Sequence, residues 1–263
     1  MVLRVGLLVA TLFKVVNAQG YYATNRGGYA NYAYGSWGTV GGGSYNFNYT
    51  PYGLISGGHS NYVYGYAATV SGGMSNSAYG SWSTIVGGSS NKAYGAYAIV
   101  LGGYLNINYG DYAALAGGTY NTIYGDYNAV SGGSYHRTYN SFSTIASGHN
   151  SYSLSYTGTV AGGMYNSAYY ASYSGVGGGY SNAAAGEASG IGGGFDNYVA
   201  GYTSYVGGGM YHGTYSSYAY VGGGNANYAY KGYSAIGGGV SNKVKLVFIF
   251  SWVGSEASHH ALR

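Results

Sequence analysis

Asp111 and Asp126 are the two carboxylates whose spacing invites a chemical reading, because they lie fifteen residues apart. If fifteen residues make one turn of a coil, the two acids stack about 5 Å apart, the separation of neighbouring strands. Stacked carboxylates supply the oxygen ligands that Ca²⁺ takes. No further acid aligns with them, so the plainer expectation is two solvated acids at a corner, with no metal site. The six His are scattered, with His136 and His212 at equivalent places in the repeat described below and His259-His260 near the C-terminus. A Ser-His-Asp grouping can be assembled on paper from so many Ser, but nothing in the spacing selects one against the geometry such a triad demands. The glycine-rich runs such as "GGGYSN" precede no helix, as a phosphate-binding loop requires. The residues therefore predict neither an enzyme nor a bound cofactor.

What positions these residues is a repeat. Asn31, Asn46, Asn61, Asn76, Asn91, Asn106 and Asn121 are each fifteen apart, and His136 and Ser151 hold the register until Asn166 restores it. One extra residue falls within Tyr169-Tyr170-Ala171, after which the spacing resumes at Asn182, Asn197, His212, Asn227 and Asn242. Counting this position as offset 0, offset 9 is a branched aliphatic residue in all fourteen repeats, from Val40 to Ile236 (ten residues on, across the insertion). Gly and Tyr are abundant at 53 and 39 residues, a composition shared with disordered chains. A disordered chain, however, has no reason to keep a branched residue at one offset, and a fixed short period marks a stacked repeat array.

Each repeat reads as two halves of the form small-x-apolar-x-Gly. Alternation at period two gives a short strand in each half, with offsets 0 and 2, and 7 and 9, sharing a face. Gly is expected to close each half at a tight corner needing positive φ. The fold class expected is all-β: a parallel β-solenoid, or β-roll, of about fifteen 15-residue coils with two short strands per coil. At strand spacing the stack would be a rod roughly 70 Å long. The register residues Asn31, Asn46, Asn61, Asn76, Asn91, Asn106, Asn121, Asn166, Asn182, Asn197, Asn227 and Asn242 are expected to form a structural ladder, each inward amide donating to one coil and accepting from the other. The alternative places these Asn in turns that tolerate left-handed backbone.

Offset 3 is Tyr in eleven of fourteen repeats: Tyr34, Tyr49, Tyr64, Tyr79, Tyr94, Tyr109, Tyr124, Tyr139, Tyr169, Tyr215 and Tyr230. Offset 6 is often aromatic too, as in Trp37, Trp82, Tyr97, Tyr112, Tyr127 and Phe142. One Val and one Ala per coil are a thin inward set, so these ladders are expected to be buried against another chain or to form a working surface. The expected partner is the protein itself, as a homotrimer or fibre, together with an unidentified extracellular surface or matrix ligand.

Composition narrows the rest. Between Tyr21 and Asn242 four basic residues (Arg26, Lys92, Arg137, Lys231) balance four acidic ones (Asp111, Asp126, Glu187, Asp196). The array carries no basic stripe for nucleic acid, despite a net charge of +4 for the whole chain. Residues 1–18 read as a secretory signal: Arg4, an apolar run from Val5 to Phe13, and Val16-Asn17-Ala18 before the cleavage point. Residues 19–242 are the repeat array, and 243–263 a non-repeat C-terminal tail or cap. The apolar run Val244 to Val253 is too short to span a bilayer. With no Cys, a secreted or cell-surface chain must be held together without disulfides. One glycosylation sequon, Asn48-Tyr49-Thr50, is followed by Pro51.

The segments "MSNSAYGSWSTIVGG" (Met74 to Gly88) and "GNANYAYKGYSAIGGGV" (Gly224 to Val240) resemble the head repeats of YadA-like trimeric autotransporter adhesins. The resemblance runs from about Gly27 to Asn242. It implies a left-handed parallel β-roll of three chains at a cell or particle surface, used for adhesion. No heptad stalk or membrane-anchoring barrel segment accompanies it here, and Tyr replaces much of the Ser, Ala and Thr of such heads. The reading that follows is a secreted structural or adhesive rod presenting tyrosine ladders for contact, self-assembly or oxidative cross-linking. Two alternatives stand beside it. An ice-binding β-solenoid is suggested by a resemblance of the Asn-x-Ala/Val-x-Gly halves to plant ice-recrystallisation inhibitors and by Thr39, Thr69, Thr84, Thr144 and Thr159 at offset 8. A functional-amyloid-like fibre subunit would join rods end to end through strand edges.

Overall fold

A computed structural model describes residues 17–169, 171–245 and 250–251. Two units divide the chain, residues 1–120 and 121–263. The first sixteen residues of the expected signal lie outside the described residues, as does most of the tail beyond Lys245. The architecture is an all-β parallel solenoid of about fifteen coils, with two short strands per coil and no helix among the described residues.

In the first unit the odd-numbered strands, from Asn17–Ala18 through Tyr32–Ala33 to Ile107–Asn108, form one sheet, and the even-numbered strands, from Thr24–Asn25 to Ala114–Leu115, form the other. In the second unit the corresponding rows run from Thr122–Ile123 to Lys243–Val244 and from Ala129–Val130 to Phe250–Ser251. All pairing is parallel at a register of fifteen, as in Lys92↔Ser77 and Ile85↔Val100, and becomes sixteen across the insertion, as in Ser167↔Ala183. Lys243–Val244 and Phe250–Ser251 keep the register of fifteen with Tyr228–Ala229 and Ala235–Ile236.

The interior of each unit is lined from offsets 0, 2, 4, 7 and 9. Val70, Ile85, Val100 and Leu115 are fully buried at offset 9, opposite Val63, Ala78 and Ala93 at offset 2. The aliphatic core therefore closes within one chain. A polar layer shares it: Asn48, Asn108 and Asn128 are also fully buried. Asn48 donates to the Gly53 carbonyl at 2.6 Å and accepts from Thr50 N–H at 3.2 Å. The sequon asparagine is thus sealed inside, where no glycan fits in the folded coil.

The corners differ from the sequence expectation. Glycine was expected to carry positive φ in both halves, yet apart from Gly27 in the first coil it does so at offset 12, as with Gly73 at +85° and Gly88 at +83°. Elsewhere the left-handed positions are offsets 6 and 14, occupied by residues such as Trp82 (+60°), Tyr97 (+57°) and Ser75 (+58°). Left-handed backbone costs a non-glycine residue roughly 1–2 kcal/mol. The reason for it is the direction of the N–H. Strand amides reach forward, as Thr84 N–H does to Ala98 O (2.8 Å). Trp82 N–H turns back to Tyr66 O at 2.8 Å, and Ser75 N–H to His59 O at 2.9 Å. Each left-handed residue rotates its peptide so that the corner is also hydrogen-bonded between coils. Gly at offset 4 has a different role: a Cβ on Gly80 would lie 1.9 Å from the Gly95 carbonyl oxygen.

Candidate interaction surface and the ladder beneath it

The interior ladder fixes everything outside it. Each register Asn is buried, and none adopts positive φ, so the turn alternative is not what the structure adopts. Asn91 shows the arrangement. Its N–H donates to Asn76 Oδ1 (3.0 Å), and its own Oδ1 accepts from Asn106 N–H (3.0 Å). Its Nδ2 donates to the carbonyls of Gly87 and Gly103, both at 3.0 Å. The bonds run chiefly from amide to backbone; direct amide–amide bonds occur only at some rungs, such as Asn197 Nδ2 to Asn182 Oδ1 at 2.9 Å.

His136 and His212 replace the amide in two rungs of the second unit. Their Nδ1 atoms accept from Ser151 N–H (3.2 Å) and Asn227 N–H (3.0 Å), as an Asn Oδ1 would. Both rings are buried, and each Nε2 lies beside a glycine carbonyl (Gly148 or Gly224) without a well-formed hydrogen bond. An accepting Nδ1 requires the neutral ring, and burial lowers both pKa values below the ordinary histidine value. For His136 the backbone contacts at Ser151 and Gly148 oppose burial in part, and the nearby His149 adds a smaller push downward. A depressed histidine pKa makes stability largest above pH about 6.5 and erodes it as pH falls below that value, by at most about 1.4 kcal/mol per pH unit for each ring. His136→Asn is therefore expected to raise the stability of the second unit and to flatten its acid dependence between pH 6.5 and 4. Thermal unfolding followed across that range checks it, and an unchanged pH slope would refute the assignment.

Outside, the structure places the offset-3 tyrosines on the first-strand face. In the first unit they form one continuous stack. Tyr34–Tyr49, Tyr49–Tyr64, Tyr64–Tyr79, Tyr79–Tyr94 and Tyr94–Tyr109 have ring centroids 5.2, 5.0, 4.9, 4.5 and 4.7 Å apart. Their planes lie within 11° of parallel. Coil spacing imposes this geometry, because identical side chains at one offset repeat at the strand separation. In the second unit the column is interrupted. Tyr124 stacks on Tyr139 (4.9 Å) and Tyr215 on Tyr230 (5.2 Å), but Leu154, Ala185 and Ala200 break the row between. At the break lies a recess lined by Tyr169, Ala183, Ala185 and Tyr198.

Beside the offset-3 column stands a second one at offset 1 that the repeat count alone missed. Tyr32 stacks on Phe47 at 5.1 Å and Phe47 on Tyr62 at 5.4 Å, and Tyr32 also lies parallel to Tyr34 at 5.6 Å. Period-two alternation was the available signal, since offsets 1 and 3 must share the outer face of a strand. Offset 6 adds a corner column, with Tyr97–Tyr112 at 4.8 Å and Tyr127–Phe142 at 5.0 Å.

Stacking decides what these columns offer. Ring faces are covered by the neighbours above and below, so edges and hydroxyls remain exposed, about two fifths of each ring residue at Tyr49, Tyr64, Tyr79 and Tyr109. Sugars and nucleobases that bind by covering an aromatic face find that face closed along the column. The accessible chemistry is a row of phenol donors and acceptors on an apolar strip. Burial, and then the neighbouring phenols, raise the pKa of Tyr49, Tyr64, Tyr94 and Tyr215, so the hydroxyls stay neutral at physiological pH.

Asp111 accepts Ala96 N–H at 2.7 Å, a structural use of its carboxylate. Among the described residues no three His, Cys, Asp or Glu side chains converge. The offset-8 threonines do face outward, with Thr69 beside Thr84 and Thr144 beside Thr159, but Leu54, Ile99 and Ala114 interrupt the row. No described helix is long and apolar enough to cross a membrane.

These features define the class: a tyrosine-rich parallel β-solenoid repeat protein with aromatic columns on its outer face. Comparison with protein-family models gives no match, and comparison with curated proteins gives none either.

Proposed function

We propose that the protein is a secreted, non-enzymatic structural or adhesive component that self-associates and contacts extracellular surfaces through its tyrosine columns. The continuous stack from Tyr34 to Tyr109 carries this reading. Apolar area of that regularity, with hydroxyls in a row, is the composition of a contact surface, where Tyr supplies large rigid area at little entropic cost. Because the aliphatic interior is closed within one chain, association acts on the outer columns and leaves the core unchanged. The likeness to YadA-like heads favours a trimer as the assembled form.

Sedimentation equilibrium on the full chain tests the proposal. A discrete trimer is expected, and replacing Tyr64, Tyr79 and Tyr94 together by Ser is expected to shift the mass to monomer with the β-sheet circular dichroism retained. A wild-type chain that stays monomeric up to tens of micromolar would overturn self-association as the function of the column.

A further inference from the structure

Offset 13 carries a pattern unrelated to the tyrosine columns. Ser44, His59 and Met74 occupy it in three successive coils, joined by parallel bridges Ser44↔His59 and His59↔Met74. Ser134, His149 and Met164 repeat the same triplet in the second unit, with the same two bridges. The side-chain geometry repeats too. Ser44 Oγ lies 2.8 Å from His59 Nδ1, and Ser134 Oγ 2.7 Å from His149 Nδ1. In both, a left-handed tyrosine meets the imidazole edge-on, Tyr45 at 5.6 Å and Tyr135 at 5.4 Å.

We infer that each triplet is a binding site for a soft monovalent metal ion, Cu(I) or its analogue Ag(I), held by the His Nε2 and the Met thioether. Bridge partners on adjacent parallel strands stand about 4.8 Å apart, which brings an imidazole and a thioether on one outer edge within reach of a shared ion. Met74 and Met164 are exposed, so the sulfur is open to solvent. The serine engages Nδ1 and leaves Nε2 as the ligating nitrogen. An outer hydrogen bond of this kind commonly orients a metal-bound histidine and sets its tautomer. One nitrogen and one thioether sulfur, with no group of three His, Cys, Asp or Glu side chains among the described residues, make a soft donor set that discriminates against Ca²⁺ and Mg²⁺.

The chain supplies its own control. It contains four methionines, and Met210 also sits at offset 13, but its bridge partners are Phe195 and Asn225 and no imidazole adjoins it in the row. The experiment is titration of the full chain, labelled with ¹³C at the methionine methyls, with silver nitrate in chloride-free buffer. Met74 and Met164 resonances are expected to shift and saturate at two equivalents of Ag(I), with Met210 unmoved. His59→Ala should abolish the Met74 shift and leave that of Met164, and His149→Ala should do the reverse. Wild-type amide exchange in the coils on either side of the substituted histidine reports that the fold there is intact. Parallel movement of Met210, persistence of the Met74 shift in His59→Ala, or no shift at ten equivalents would each overturn the inference.

Discussion

Asn91→Ala is expected to destabilise the first unit by about 3–6 kcal/mol, one of the largest single-residue effects in the array. The substitution removes three roles at once. Asn106 N–H loses its buried acceptor, and the part-buried Gly87 carbonyl loses its donor. The Gly103 carbonyl keeps Ser89 N–H at 2.9 Å but loses the amide at 3.0 Å. Each orphaned buried group costs about 1–3 kcal/mol, and the vacated volume adds a cavity contribution. A solenoid need not unfold in one step, since each coil touches only its neighbours. The informative readout is therefore local: amide exchange at Asn106 should accelerate by about 10²- to 10⁴-fold, at 1.4 kcal/mol per decade. Lys92→Ala, one residue on and pointing outward, should stay within about 0.5 kcal/mol of wild type. Unchanged protection at Asn106 in the Asn91 variant would show that the ladder is incidental to stability.

Adjacent glycines should give opposite results. Gly88→Ala places a Cβ 2.3 Å from the Gly103 carbonyl oxygen and 2.5 Å from Asn91 Nδ2, at φ +83°. The left-handed backbone costs roughly 1–2 kcal/mol and overpacking typically 1–3 more, so a loss of about 2–5 kcal/mol follows. Gly87→Ala meets nothing within 4 Å and has no positive φ. It should be neutral, or stabilising by up to about 1 kcal/mol through the unfolded chain. Chemical denaturation of the two variants checks the contrast. The double variant Gly88→Ala with Asn91→Ala should lose less than the sum, because removing the amide also removes one of the clashes. Equal losses at Gly87 and Gly88 would rule out the corner geometry.

Both predictions above concern what the sequence encodes inside the coil. Fifteen-residue spacing of Asn and branched aliphatics was enough to read a parallel solenoid with two strands per coil, because stacking turns a linear period into spatial alignment and leaves no alternative register that keeps Val70, Ile85 and Val100 together. The inward place of Asn91 was legible for the same reason. Its bonding was less so: the sequence suggests amides paired with amides, whereas the folded coil uses them mainly to satisfy backbone at the glycine corner. The corner conformations were not legible. Trp82 and Tyr97 carry no local preference for left-handed backbone, and only the need to turn an N–H toward the preceding coil puts them there. The rows at offsets 1 and 13 were legible as alignments, since Tyr32 and Phe47, and likewise Ser44, His59 and Met74, recur at fifteen; the ring stacking and the serine–imidazole hydrogen bond were not. What the sequence by itself determined is the period and the identity of the inward residues, since these depend on spacing and hydrophobicity alone. Only the tertiary structure decided which outward groups meet and how the corners are hydrogen-bonded, because those depend on coil pitch and peptide orientation, and no single repeat encodes either.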